Sequence, residues 1–142
     1  VYLGGSWPET YRNQLFIGNI HGQRFNVDIP TRRGSGYSGK HAPDFLNFND
    51  TWSQSLNQMY DQDGSVLVID WYDKNQCHHN REDGHDRSNG RIYKVVYNAQ
   101  PVSRTDFAAL PDEALVQYAD SLNEFRVRHS RRILQELSLI HI

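Results

Sequence analysis

The residues best suited to chemistry cluster in one stretch, VIDWYDKNQCHHNREDGHDRSNGRIYKV, from Val68 to Val95. Between two strand-like runs it holds one cysteine, three histidines and five acidic residues. Thiolate, imidazole and carboxylate are the common transition-metal ligands, and zinc accepts three or four of them. His78, His79 and Asp86 are the metal-ligand candidates. Neighbouring side chains on an extended segment point to opposite sides, so His78 and His79 are poorly placed to grip one ion together. One of the pair packs inward while the other meets solvent or ligand. Calcium on Asp70 and Asp73 would need backbone carbonyls to complete its oxygen shell. The competing reading needs no ligand: the acids, the asparagines and Gly84 cap turns and order the loop through side-chain to backbone hydrogen bonds. Cys77 is a weak nucleophile candidate, because no base or oxyanion hole is identifiable near it in the sequence.

Arg91 follows Gly90 and opens the last strand, where it reads as a clasp to Asp86 or Asp70. Trp7, Trp52, Trp71, Tyr72 and Tyr93 have two uses open to them, a stacking platform for a sugar or packing between sheets.

The 142 residues suffice for one ordinary domain with a real core. A net charge of −2 and a pI near 6.4 argue against general affinity for nucleic acid or anionic membrane. The apolar runs are a few residues long, too short for a transmembrane helix. A single cysteine excludes an internal disulfide and a multi-cysteine zinc framework. The C-x-x-C-H pattern that attaches c-type haem is missing too. The chain begins at Val1 in what reads as the end of a strand and finishes in LSLIHI without a helix stop signal. It is therefore read as a piece of a longer polypeptide, with 138–142 a candidate non-native tail.

The elements that must position these groups fall into two regions. Residues 1–100 read as β. QLFIGNI (Gln14–Ile20) and QRFNVDI (Gln23–Ile29) flank a tight turn at His21-Gly22, and DFLNF (Asp44–Phe48) is a third short run. Leu56–Tyr60 and Ser65–Trp71 are joined through Asp63-Gly64, a strong turn pair, and Gly90–Tyr97 closes the series. RRGSGYSGK, with Gly34, Gly36 and Gly39, reads as a flexible loop. Short strands without intervening helices imply an antiparallel array: a sandwich, a barrel or a propeller. Over 101–137 the pattern turns helical. Pro111, Asp112 and Glu113 start one helix with Leu115, Ala119 and Leu122 as its stripe. Asn123 caps a second with Ser130, Ile133, Leu134 and Leu137, its arginines mostly on other faces. Such a hairpin must bury its apolar side against the β part or against further hairpins.

The segments GGSWPETYRNQLFIGNIHGQRF, DGSVLVIDWYDKNQCHHN and DRSNGRIYKVVY resemble the end of the propeller in the membrane-bound dehydrogenase family of planctomycete-like bacteria. The blade pattern is similar to soluble quinoprotein dehydrogenases of the glucose/sorbosone type. DFAALPDEALVQYADSLNEFRVRHSRRILQEL resembles the first helical-repeat, HEAT-like hairpin that follows it. The resemblance implies partial β-propeller blades followed by the start of a helical repeat, in a periplasmic or extracytoplasmic setting. It implies oxidation of a sugar or alcohol, with pyrroloquinoline quinone and calcium as cofactors and a c-type haem domain or cytochrome as electron acceptor. His21 or Arg24 would then stabilise negative charge developing on the quinone at the funnel mouth. Asp70, Asp73 and Arg91 would face the cofactor, with the Asp70–Asp86 loop lying over the funnel. The runner-up is a non-catalytic propeller and solenoid that binds polysaccharide or a protein. A third reading is an independent metal-binding domain.

Overall fold

The computed structural model describes residues 1–76, 84–98 and 103–139. It is mainly β, with two three-stranded antiparallel sheets followed by two helices. The first sheet runs in the order β1 (Leu15–Asn19), β2 (Arg24–Arg33), β3 (Gly36–Phe45). The second runs β4 (Ser55–Tyr60), β5 (Val66–Asp70), β6 (Arg91–Val95). Among the described residues neither sheet closes into a barrel.

Alternation explains which face each strand buries. Phe25 and Val27 turn inward from β2, and Val66 and Val68 from β5. The core lies between the sheets, where Tyr2, Phe25, Val66 and Val68 are joined by a shell of aromatic rings. Each such buried apolar side chain stabilises the fold by about 1.5–3 kcal/mol. Tyr2 stacks on Trp7 with ring centres 4.3 Å apart. Its hydroxyl donates to the Gly64 carbonyl at 3.0 Å and accepts from the Trp7 N–H at 2.7 Å. Trp7 is therefore a packing residue, and its Nε1 donates to the Val95 carbonyl.

Two β expectations need correction. RRGSGYSGK is no loose loop: β2 and β3 pair from Asp28↔His41 out to Arg33↔Gly36 around a turn at Gly34-Ser35. A glycine-rich segment carries no apolar alternation, so the pairing is invisible in its side chains and comes from the backbone ladder. Gly34, at φ 58°, supplies the left-handed turn residue. The third strand accordingly starts at Gly36, and it ends at Phe45, where Leu46 turns left-handed at φ 49°. Asp63-Gly64 makes the expected turn, with Gly64 at φ 80°.

Helix α1 (Asp112–Tyr118) starts as its acids and proline predict, and Leu115 is fully buried. The helix stops before Leu122, so the seven-residue stripe fails and Leu122 is exposed. Asn123 caps α2 (Glu124–Leu139): its Oδ1 accepts from the Phe125 N–H at 3.0 Å. The helix continues through Ser138 and Leu139, past the expected boundary at 137. Val127 and Ser130 are buried, and Ile133, Leu134 and Leu137 half-buried. Phe107 packs on Tyr118, Phe125 and His129.

The hairpin docks on the β part through side-chain and backbone hydrogen bonds. Asn123 Nδ2 donates to the Gln62 carbonyl at 2.8 Å, and the Glu124 N–H donates to the Leu3 carbonyl. No helix among the described residues is long and apolar enough to cross a membrane.

Candidate functional site

The connections after β1, before β4, after β5 and before β6 meet at one end of the sheets. His21, in the β1–β2 turn, places Nδ1 2.6 Å from Gln76 Oε1, and Gln76 Nε2 donates to the Ile20 carbonyl. The Asp73 N–H donates to the Trp52 carbonyl at 2.9 Å. A cleft of about 370 Å³ lies here, lined by His21, Gln23, Thr51, Trp52, Lys74 and Gln76. A second groove of about 360 Å³ lies beside Tyr2, Trp7 and β4, and one of about 500 Å³ between Phe107 and α2. The cleft at His21 is the candidate site because hydrogen-bonding side chains converge there beside an aromatic ring.

Beneath it lies a buried polar layer. Asp70 ends β5 on the inward-facing row, where an acid must find donors. Its Oδ1 accepts from the Gln54 N–H at 2.6 Å and the Tyr72 N–H at 3.2 Å, and its Oδ2 from Ser53 Oγ at 3.1 Å. Tyr72 takes a left-handed backbone, φ 49°, and that carboxylate holds it there. Asp73 is fully buried. Its Oδ1 accepts from the Asn75 and Asp86 N–H groups, and its Oδ2 meets Trp71 Nε1 and His85 Nδ1. Burial pushes the Asp73 carboxyl up, but these donors outweigh it and hold the group below the usual carboxylate range. Gln54 Nε2 donates to the carbonyls of Asp73 and Asn75, and Asn75 Nδ2 to that of Gly84.

Asp86 is a half-buried turn cap. Its oxygens accept from Ser88 Oγ, the Ser88 N–H and Asn89 Nδ2, which lowers its pKa. Arg91 faces Asp70 across the β5–β6 ladder, but its guanidinium turns elsewhere. It donates to Tyr93 Oη at 3.2 Å, lies 3.5 Å over the Tyr72 ring and reaches Asp50 at 3.9 Å. The Tyr93 hydroxyl and then Tyr72 push its pKa up. The clasp exists, with Asp50, Tyr72 and Tyr93 in place of Asp86 or Asp70. Trp52 and Tyr72 sit 5.6 Å apart by ring centres, so the aromatic set divides between site and core.

Arg24 does not reach the cleft lining. Its Nε is 2.7 Å from Asp44, and a guanidinium N–H donates to the Gly22 carbonyl. Of the two quinone-facing candidates only His21 lines the opening. Cys77, His78 and His79 lie outside the described residues. Among the described residues no group of three or more His, Cys, Asp or Glu side chains could hold a metal ion.

Calcium takes six to eight oxygens. Both oxygens of Asp70 and of Asp73 already accept from the chain's own donors, so these two residues do not fit a calcium site. Lys74 and His21 fit an anionic or quinone oxygen better, as cationic or hydrogen-bonding groups on the cleft wall.

Sequence reasoning missed Thr51, Lys74 and Gln76 on that wall, and Asp50 as the partner of Arg91. Only the Asp and Asn richness around 70–76 hinted at an ordered loop. No curated protein and no solved structure matches the chain. A family model matches residues 1–99, the whole β part, and the chain belongs to that family, the domain of unknown function DUF7133.

Proposed function

We propose that this chain is part of a sugar- or alcohol-oxidising dehydrogenase of the glucose/sorbosone type, its two sheets being neighbouring blades of a propeller and its helices the start of a HEAT-like repeat. The observation that supports this most is the convergence of His21, Thr51, Trp52, Lys74 and Gln76 from both sheets on one polar cleft. An indole beside amide, hydroxyl and ammonium groups suits a carbohydrate, which offers apolar ring faces and a rim of hydroxyls. In this reading Trp52 stacks on the sugar while Gln76 and Thr51 bind its hydroxyls. His21 stands toward the quinone. When bound, the quinone would supply the hydride acceptor for the sugar carbon, with the hydroxyl proton passing to solvent, and would hand its two electrons on to a c-type haem domain or cytochrome. Pyrroloquinoline quinone, with any calcium it carries, is held mainly by other blades around the shared axis, in an extracytoplasmic setting.

The test is dye-linked oxidation of aldoses and alcohols by the full-length protein, titrated with pyrroloquinoline quinone and calcium. Turnover that depends on the quinone, with KM raised about tenfold by Trp52→Ala, is the expected result. Failure to bind quinone together with no dye reduction overturns the proposal.

A second reading has its own support. Asp70 and Asp73 are both consumed by internal hydrogen bonds, which suits a non-catalytic module that binds polysaccharide. Calorimetric binding of a polysaccharide that Trp52→Ala abolishes, without any oxidation, would favour it.

A further inference from the structure

We propose that the outer half of the β2–β3 ribbon is a docking arm for an extended acidic peptide, which adds as a further strand along the open edge of β3. Beyond Asp28 the ribbon leaves the body, and no residue from 29 to 41 is buried. A two-stranded ribbon that buries nothing is marginally stable in water, so an added strand has much to gain there. Between Asp28 and Asp44 the chain carries Arg32, Arg33 and Lys40 and no acid. Among the described residues none of these three cations has an ion-pair partner, whereas His41 at the base meets both Asp28 and Asp44.

The distribution of charge over the two faces selects the partner. Residues directly opposite each other share a face, and successive residues alternate. Arg32 pairs with Tyr37 on one face. Arg33 lies on the other, together with Lys40, which stands opposite Ile29. A flat anionic membrane meets one face at a time. An extended peptide with consecutive acids turns its carboxylates alternately up and down, and so reaches Arg32 on one side and Arg33 and Lys40 on the other. β3 is an edge strand whose outer side pairs with no described strand. Its Gly36–Ala42 stretch contains no proline, so its outward N–H and C=O groups can extend the ladder. Lys40 discourages pairing with a like-charged or apolar edge, as edge lysines do, and admits an acidic one.

The experiment uses fluorescein-labelled octaglutamate, read by anisotropy against the 142-residue chain at low salt. Binding is expected, weakened at least tenfold in R32S/R33S/K40S while the thermal unfolding midpoint stays put. Amide exchange should slow across Gly36–Ala42 on peptide addition. Absence of binding, equal binding by the triple variant, or unchanged exchange along β3 would each overturn the proposal. So would tighter binding to duplex DNA or to phosphatidylglycerol vesicles than to the peptide.

Discussion

Nδ1 of His85 lies 3.0 Å from the buried Oδ2 of Asp73, across a separation of twelve residues in sequence. The same carboxylate accepts from the N–H groups of Asn75 and Asp86. One acid thus gathers both ends of the connection between β5 and β6. It also accounts for a residue that reads as a metal or cofactor ligand in the sequence.

Asp73→Asn keeps the shape but turns an acceptor into a donor that faces other donors. Because the folded pKa of Asp73 is depressed, its stabilisation is present above the unfolded value. It is lost as pH falls through the folded one. Urea midpoints of the wild type should therefore drop once the pH goes below about 4. The variant should start lower at pH 7 and lose less on acidification. Equal midpoints for the two proteins at pH 7 would contradict this role.

Lys94 holds two acids, with Nζ 2.7 Å from both Asp61 and Asp63. The Lys94 hydrogen bond lowers Asp61, and at Asp63 it joins Ser65 in overcoming burial. Asp61 and then Asp63 raise Lys94, so its share of stability is present below its unfolded value and lost as pH rises through the folded one. Lys94→Met should cost about 1 kcal/mol at pH 7, since the pairs are partly exposed. It should also flatten the stability profile at both acid and alkaline ends, as followed by circular dichroism.

Asn123→Ala removes the cap of α2 and strands the Gln62 carbonyl. The cap is worth about 1 kcal/mol and the orphaned acceptor about 1–2 more. Urea denaturation should show a loss of about 2–3 kcal/mol, and hydrogen exchange should speed up first at Glu124 and Phe125. Fast exchange confined to the β strands would point elsewhere.

Gly64→Ala tests the seam between the N-terminal segment and the β4–β5 turn. A Cβ at φ 80° would stand 2.7 Å from the Gly5 nitrogen and 3.1 Å from that of Ser6. The left-handed strain alone is about 1 kcal/mol, and the contact with rigid backbone adds to it. The melting temperature should fall by several degrees, whereas Gly39→Ala, which meets nothing within 4 Å, should leave it nearly unchanged.

Strands, turns and caps were legible wherever a local period or a special residue encodes them. Phe25 and Val27 alternate inward, Asp63-Gly64 turns, and Asn123 caps. The ribbon beyond Asp28 was not legible, because Gly34, Gly36 and Gly39 offer no side chains to alternate. Leu122 misled for the opposite reason: its spacing fits a helix that stops at Tyr118.

By itself the sequence determined the antiparallel class, the change from β to helix near residue 100 and the polar character of the segment after β5, since each depends on neighbours within a few residues. Only the tertiary structure decided which groups meet. Gln76 finds His21 and Asp50 finds Arg91 because two sheets stack on a shared core, and that stacking brings together residues about forty or more positions apart. It also spends the carboxylates of Asp70 and Asp73 on backbone donors, because an acid buried between sheets must be satisfied where it lies.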